Sequence, residues 1–367
     1  MPFDHGTLTL TIFELRADLP EDAVELFAAR KAGSLDSVST EADAEPQIGW
    51  VTGRYLLDNQ IDESSAHRGS FLALALRRAE RKIPASLLNA ICRREEHNYL
   101  LTHQAEFIPS KIKKSIREEA VERHLPKMPP ALSAIPLVID PVEKVLYLGA
   151  ASNAQLDLFV ENFFQTTKVE PLQMTPASLL ERLFEITESS FPALRLTDGS
   201  AEEHSTGRDF LTWLWYLSEN DGRITHDQYG EFDLLIEGPL AFADLSEANG
   251  AEETVIKKGN SPARSAEAKA ALAVGKKLKK AKLSITRGEE IWCGAFDADK
   301  FSFGSLKLPE GNAMSPDERF IERIEFLNIF KAALELYFRK FAETMLAANY
   351  PDTEKKLRKW AAERDAI

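Results

Sequence analysis

The sequence predicts an α+β fold built from mixed antiparallel sheets and helices, and three observations point there. Short segments with apolar residues at every second position cluster near the N-terminus and again after Gly230, and turn residues bound them. Other segments carry apolar residues at helical spacing, the longest from about Pro316 to Asn349. Strands and helices do not alternate strictly, which separates the pattern from a doubly wound parallel sheet. No internal repeat of fixed period is present.

Taken in order, Thr7 to Arg16 alternates, with Leu8, Leu10 and Ile12 on one face, and reads as a strand. Pro20-Glu21-Asp22 opens a short helix, since proline fits a first turn and acids suit its positive end. The polar, acidic stretch Ser34 to Pro46 reads as a surface loop. Strands follow at Ile48–Thr52 and Phe71–Leu76. A helical region starts at Pro84, breaks near Pro109 and continues to about His124. Ala134–Asp140 and Lys144–Gly149 form a hairpin around Asp140-Pro141-Val142-Glu143. Ser152 is a candidate N-cap for the next helix, Thr175-Pro176 starts another, and a third runs through Phe210–Glu219. Short β segments are predicted at Glu231–Glu237, Ala241–Asp244 and Glu253–Lys257, then at Leu283–Thr286, Ile291–Phe296 and Phe301–Leu306. Two helices close the chain, one to about Asn349 and one after Pro351. The expected organisation is an N-terminal α+β region (1–130), a central hairpin and helical region (131–230), a β-rich region (231–315) and C-terminal helices (316–367).

With 367 residues, 44% hydrophobic and 28% charged, the composition is that of a globular protein with room for two or three domains. No apolar run approaches the roughly 18 residues of a membrane span. The N-terminus carries no secretory pattern, and Cys92 and Cys293 alone cannot build a disulfide framework. The expectation is a soluble cytoplasmic protein without a membrane partner.

The formal net charge is -13, yet residues 257–282 hold nine Lys/Arg and a single acid, Glu267. From Ser265 onward this stretch reads as an amphipathic helix. At 100° per residue, Lys269, Lys276 and Lys280 fall within about 40° of one another. Lys277 and Lys279 flank them, while Ala271, Val274, Leu278 and Ala281 take the opposite side. Ammonium groups spaced by helical turns reach successive phosphates, so the expected ligand is a polyanion bound with little regard to sequence. Lys257 and Lys258 precede the helix and would add to its field. A second cluster, Lys111, Lys113, Lys114 and Arg117, continues to Arg123 and Lys127, diluted by Glu118, Glu119 and Glu122. A third, with Arg77, Arg78, Arg81 and Lys82, follows a strand and reads as an exposed turn.

Other features take blander readings. Phe210, Trp213, Leu214 and Leu217 stand at i, i+3, i+4 and i+7, the pattern of a buried helix face rather than a base-stacking platform. Phe320, Ile324, Leu327, Leu334, Phe338 and Phe341 make a similar stripe, interrupted by Lys331. Trp50 and Trp292 read as packed strand residues. Gly275-Lys276-Lys277 is not a P-loop, because Ala270 replaces the first glycine and Lys277 the magnesium-binding hydroxyl. Pro351-Asp352-Thr353-Glu354-Lys355 places its acids side by side on one helix, unlike a nuclease metal site. The seven histidines and two cysteines show no paired ligand spacing. No catalytic residue, metal or cofactor is expected. The alternatives are a metal-dependent nuclease acting on DNA and an interaction module whose basic helix meets an acidic partner.

An ordered series of segments resembles the recombination-associated protein RdgC family. It comprises Gly49-Trp50-Val51, Arg81-Lys82-Ile83-Pro84, His124-Leu125-Pro126-Lys127, Leu137-Val138-Ile139-Asp140 and Gly149-Ala150-Ala151-Ser152. It continues with Phe210-Leu211-Thr212-Trp213-Leu214, Val255-Ile256, Gly275-Lys276 and Ser305-Leu306-Lys307-Leu308-Pro309. The resemblance implies a non-enzymatic, nucleoid-associated bacterial DNA-binding protein of α+β fold. It implies an elongated, curved subunit closing into a ring-shaped homodimer with a positively lined hole. Double-stranded DNA, and single-stranded DNA as a second candidate, would bind without marked sequence preference, in functional antagonism with the RecA recombinase. The family's basic Leu-Pro-Arg position falls on Lys127, and the aromatic that follows it on Pro129, so no ring role carries over. On this reading Lys269, Lys276, Lys277 and Lys280 contact phosphates, supplemented by Lys257, Lys258, Lys113, Lys114, Arg117 and Lys127, with Arg81 and Lys82 as further candidates.

Overall fold

A computed structural model describes residues 2–197, 205–243, 253–257 and 265–362. The chain begins with β1 (Leu8–Leu15), α1 (Ala23–Ala29), β2 (Gln47–Thr52), α2 (Glu63–Ala66), β3 (His67–Arg68) and β4 (Phe71–Arg81). A helical pair, α3 (Ala85–His103) and α4 (Ser110–His124), leads to the hairpin β5 (Pro130–Asp140) and β6 (Val145–Leu148). Then come α5 (Asn153–Thr167), β7 (Pro171–Gln173), α6 (Pro176–Phe184), α7 (Thr206–Asn220), β8 (Ile224–His226) and β9 (Gly230–Ala243). The remainder is β10 (Glu253–Ile256), α8 (Ala266–Ala273), β11 (Lys277–Arg287), β12 (Glu290–Asp297), β13 (Ser302–Lys307), α9 (Pro316–Leu346) and α10 (Tyr350–Ala362). This is the expected mixture of helices with a large antiparallel sheet.

Two compact units result, each discontinuous in sequence. Unit 1 comprises Met1–Leu19, Arg68–Leu72 and Val138–Ile367; unit 2 comprises Pro20–His67 and Ala73–Leu137. In unit 1 the strands lie in the order β10-β9-β11-β12-β13-β1-β6. Period-2 alternation gives this sheet one buried face, with Phe232, Leu234 and Ile236 of β9 beside Leu283 and Ile285 of β11. Helix α9 runs along that core: Phe320, Ile324, Leu327, Leu334, Phe338 and Phe341 each expose 1% or less. Phe210 of α7 lies 5.2–6.4 Å from the rings of Phe296, Phe301, Phe338 and Phe341, so the predicted apolar stripes of α7 and α9 meet in one aromatic cluster. Trp292 is buried as expected, its Nε1 donating to the Phe326 carbonyl at 2.9 Å.

Ser315 starts α9 with a capping box: its hydroxyl accepts from the Glu318 amide, and the Glu318 carboxylate accepts from the Ser315 amide, both at 3.2 Å. Ser315→Ala is expected to lower the unfolding free energy by about 1 kcal/mol. The check is a lower urea midpoint at unchanged slope, and an unshifted midpoint would contradict it.

In unit 2, β2, β4 and β5 are neighbours, and Trp50 packs edge-on against Phe27 at 4.9 Å. Gly49 has no room for a side chain, since a Cβ there would lie 2.5 Å from the Ala32 backbone. Helices α3 and α4 enclose a small core of Ile83, Leu88, Ile91, Cys92, Ala120 and Leu125.

Two expectations are corrected. The Lys-rich segment is not one helix. Helix α8 stops at Ala273, Gly275 takes φ +92, and Lys277 begins an 11-residue strand. The apolar residues of this segment fit both periods, and the sheet decides: β9 and β12 supply backbone partners on both sides of β11. Arg77–Arg81, read as an exposed turn, is the second half of β4, with Arg77 and Ala79 buried. The strands expected at Glu231–Glu237 and Ala241–Asp244 are joined in β9, which ends at Ala243.

Candidate nucleic-acid interface

Helix α4 in unit 2 presents the cations best placed to meet an anion. The Pro109 carbonyl accepts from the amides of Ile112 and Lys113, and Ala120, Ile116 and Val121 turn toward the small core. That orientation is fixed by apolar spacing, and it sends Lys111, Lys113, Lys114 and Arg117 to solvent. Lys113, Lys114 and Arg117 occupy about 100° of arc on the helix. Lys114 pairs with Glu118 at 3.6 Å, both side chains being exposed. Lys111, Lys113 and Arg117 form no ion pair among the described residues, and neither does Lys127, exposed in the short turn after α4. Glu95 on α3 is held below the ordinary carboxylate range, mainly by its hydrogen bond from Arg94, with Arg123 of α4 contributing.

The third basic cluster is largely structural. The buried Arg77 donates to the carbonyls of Leu56 (3.1 Å) and Gly33 and to Gln47 Oε1. Arg81 donates to the carbonyls of Val38 and Met128. These arginines staple the loops of unit 2 together. Lys82 is exposed, with its Nζ 3.8 Å from Glu80.

The Lys-rich segment departs furthest from expectation. Its ammonium groups do not form a row along one helix; most are met by carboxylates of unit 1. Lys277 is buried and pairs with Asp209, whose other oxygen accepts from the Leu194 amide at 2.9 Å. Lys276 is buried and donates to Thr254 Oγ1 at 3.0 Å. Lys269 meets Glu219 at 3.4 Å, and Lys279 meets Glu253 at 3.1 Å. Lys280 pairs with Asp297 at 2.9 Å and Lys282 with Glu237 at 2.7 Å. Those two carboxylates, through their hydrogen bonds, raise both ammonium groups above the usual lysine value. Lys257 is exposed at the end of β10, and Lys258 lies outside the described residues.

Sequence reasoning missed the carboxylate partners because they come from distant elements; Asp209 and Lys277 stand on α7 and β11, with no local signal joining them. It also left Lys282 and Lys307 out of the candidate set, although both keep much of their side chain in solvent on strands of unit 1. Period-2 alternation through β11 is the signal that would have found Lys282.

Among the described residues, no three His, Cys, Asp or Glu side chains gather to hold a metal ion. No helix there is long and apolar enough to cross a membrane. No curated protein matches the chain. Residues 9–183, just under half of its length, match the family model described as "Putative exonuclease, RdgC". That segment holds all but the first residue of β1, the whole of unit 2, and the helix that carries Lys111, Lys113 and Arg117, and over it the chain is similar to the RdgC family.

Proposed function

We propose that this protein binds DNA without sequence specificity, closes as a ring-shaped homodimer around the duplex, and so restrains RecA-dependent recombination at the nucleoid. It performs no chemical step in this reading. The observation that carries it is the set of exposed cations on α4, Lys111, Lys113 and Arg117, which form no ion pair among the described residues, in a chain of formal net charge -13. Among the described residues no carboxylate pairs with these three cations, and a phosphate backbone supplies the missing counter-charge. Each contact releases condensed counterions, which makes affinity fall with salt and keeps it indifferent to base sequence. Acidic residues elsewhere limit adhesion away from that surface. The resemblance of the sequence to the RdgC family implies the same reading.

The description of the family model favours a second reading, an exonuclease. One experiment separates the two. End-labelled duplexes of unrelated sequence are titrated with protein across a salt series, with magnesium or manganese present, and the DNA is then recovered and sized. The proposal expects similar affinities for all sequences, a linear fall of log affinity with log salt, and intact DNA. Progressive shortening from the ends establishes the exonuclease, and the absence of salt-dependent binding overturns the DNA assignment altogether.

A further inference from the structure

Lys269 on α8 is enclosed by groups from two other helices of unit 1. Its Nζ stands 4.0 Å from the ring centroid of Trp360 on α10 and 5.3 Å from that of Trp215 on α7. The two indoles meet edge to face at 5.0 Å, and Tyr216 packs on Trp360 at 5.5 Å. Glu219 closes the polar side. One carboxylate oxygen accepts from Lys269 Nζ at 3.4 Å and from Trp360 Nε1 at 2.6 Å, the other from Trp215 Nε1 at 2.8 Å. The ammonium also donates to the Trp360 carbonyl at 3.2 Å. That carbonyl lies in the last turn described for α10, toward the negative end of the helix dipole.

Ring faces, a carboxylate and a helix C-terminus all favour a positive charge, and together they match the chemistry of an alkylammonium. A neutral side chain of equal length keeps apolar contact with the rings but loses the electrostatic attraction of all three. We propose that Trp215, Trp360 and Glu219 form an alkylammonium-binding cage, that Lys269 is its intramolecular ligand, and that this occupancy holds α10 onto α7 and α8. Trp360 belongs to α10, so the cage is complete only while α10 is docked. Elsewhere α10 is tied by the buried Leu357 and by Arg358, which donates to the Arg195 carbonyl at 3.2 Å. An ammonium from outside would compete with Lys269 for the same rings. The cage stands independently of the DNA reading.

Amide hydrogen exchange across residues 350–362 of the full chain tests it, with β11 and β12 as internal controls. Lys269→Ala and Lys269→Met are each expected to speed exchange in α10 by roughly tenfold while leaving the control strands protected. Added n-butylammonium should restore the protection of α10 in Lys269→Ala, whereas 1-butanol at equal concentration should not. The proposal falls if Lys269→Met protects α10 as well as lysine does, or if butanol rescues as well as butylammonium. Equal loosening of β11, β12 and α10 in Lys269→Ala would also overturn it, because the ammonium would then be a general stabiliser and not the ligand that holds this helix.

Discussion

Lys277→Met is expected to destabilise the protein by roughly 3–5 kcal/mol, the usual cost of stripping one partner from a buried ion pair. Asp209 exposes 0% of its surface, and Lys277 is its cationic partner. Without that ammonium, the carboxylate stays charged in a poorly polarisable interior, where the Leu194 amide donates to its Oδ2. Removing both charges tells a different story. Asp209→Leu combined with Lys277→Met should recover much of the loss, because a buried pair contributes little beyond its apolar replacement. Urea unfolding of the two single variants and the double gives the coupling directly. A loss below about 1 kcal/mol in Lys277→Met would show that the pair does not carry the junction of α7 and β11. The same variant, where folded, should bind DNA like the parent, since a buried ammonium has no access to phosphate.

The second large effect concerns α4. Lys113→Glu combined with Arg117→Glu replaces two exposed cations by anions on a helix face that makes little of the core. Folding should therefore change little, and thermal unfolding of the variant should overlay that of the parent. Binding should change greatly. Losing two phosphate contacts lowers the slope of log affinity against log salt by about 1.8, and two like charges then face the duplex. Affinity at moderate salt is expected to fall by at least about a hundredfold. An unchanged slope in filter binding would remove α4 from the interface. Lys280→Glu is the matching control. It opposes Asp297 with a second carboxylate on the sheet of unit 1, so its effect falls on stability before it falls on binding.

The contrast between α4 and the Lys-rich segment shows what sequence periodicity resolves. In α4, Ile112, Ile116 and Ala120 recur at helical spacing with no competing strand pattern, and the outward placement of Lys113 and Arg117 follows. From Lys276 to Lys282 the apolar residues Leu278 and Ala281 suit a helix, and Ala281, Leu283 and Ile285 suit a strand. Local pattern cannot choose between them. The hydrogen bonds offered by β9 and β12 do, and they turn a predicted row of phosphate contacts into the inner lysines and cross-strand pairs of a sheet.

By itself the sequence determined most element types, the helix starts at Thr175-Pro176 and Pro316, the apolar faces of α7 and α9, and the RdgC resemblance, because each rests on residues close together in the chain. Only the tertiary structure decided which cations remain without a carboxylate. Charge neutralisation is a matter of distance in space: Lys277 finds Asp209, Lys282 finds Glu237 and Lys269 finds Glu219, each from a different element, while Lys113 and Arg117 meet solvent.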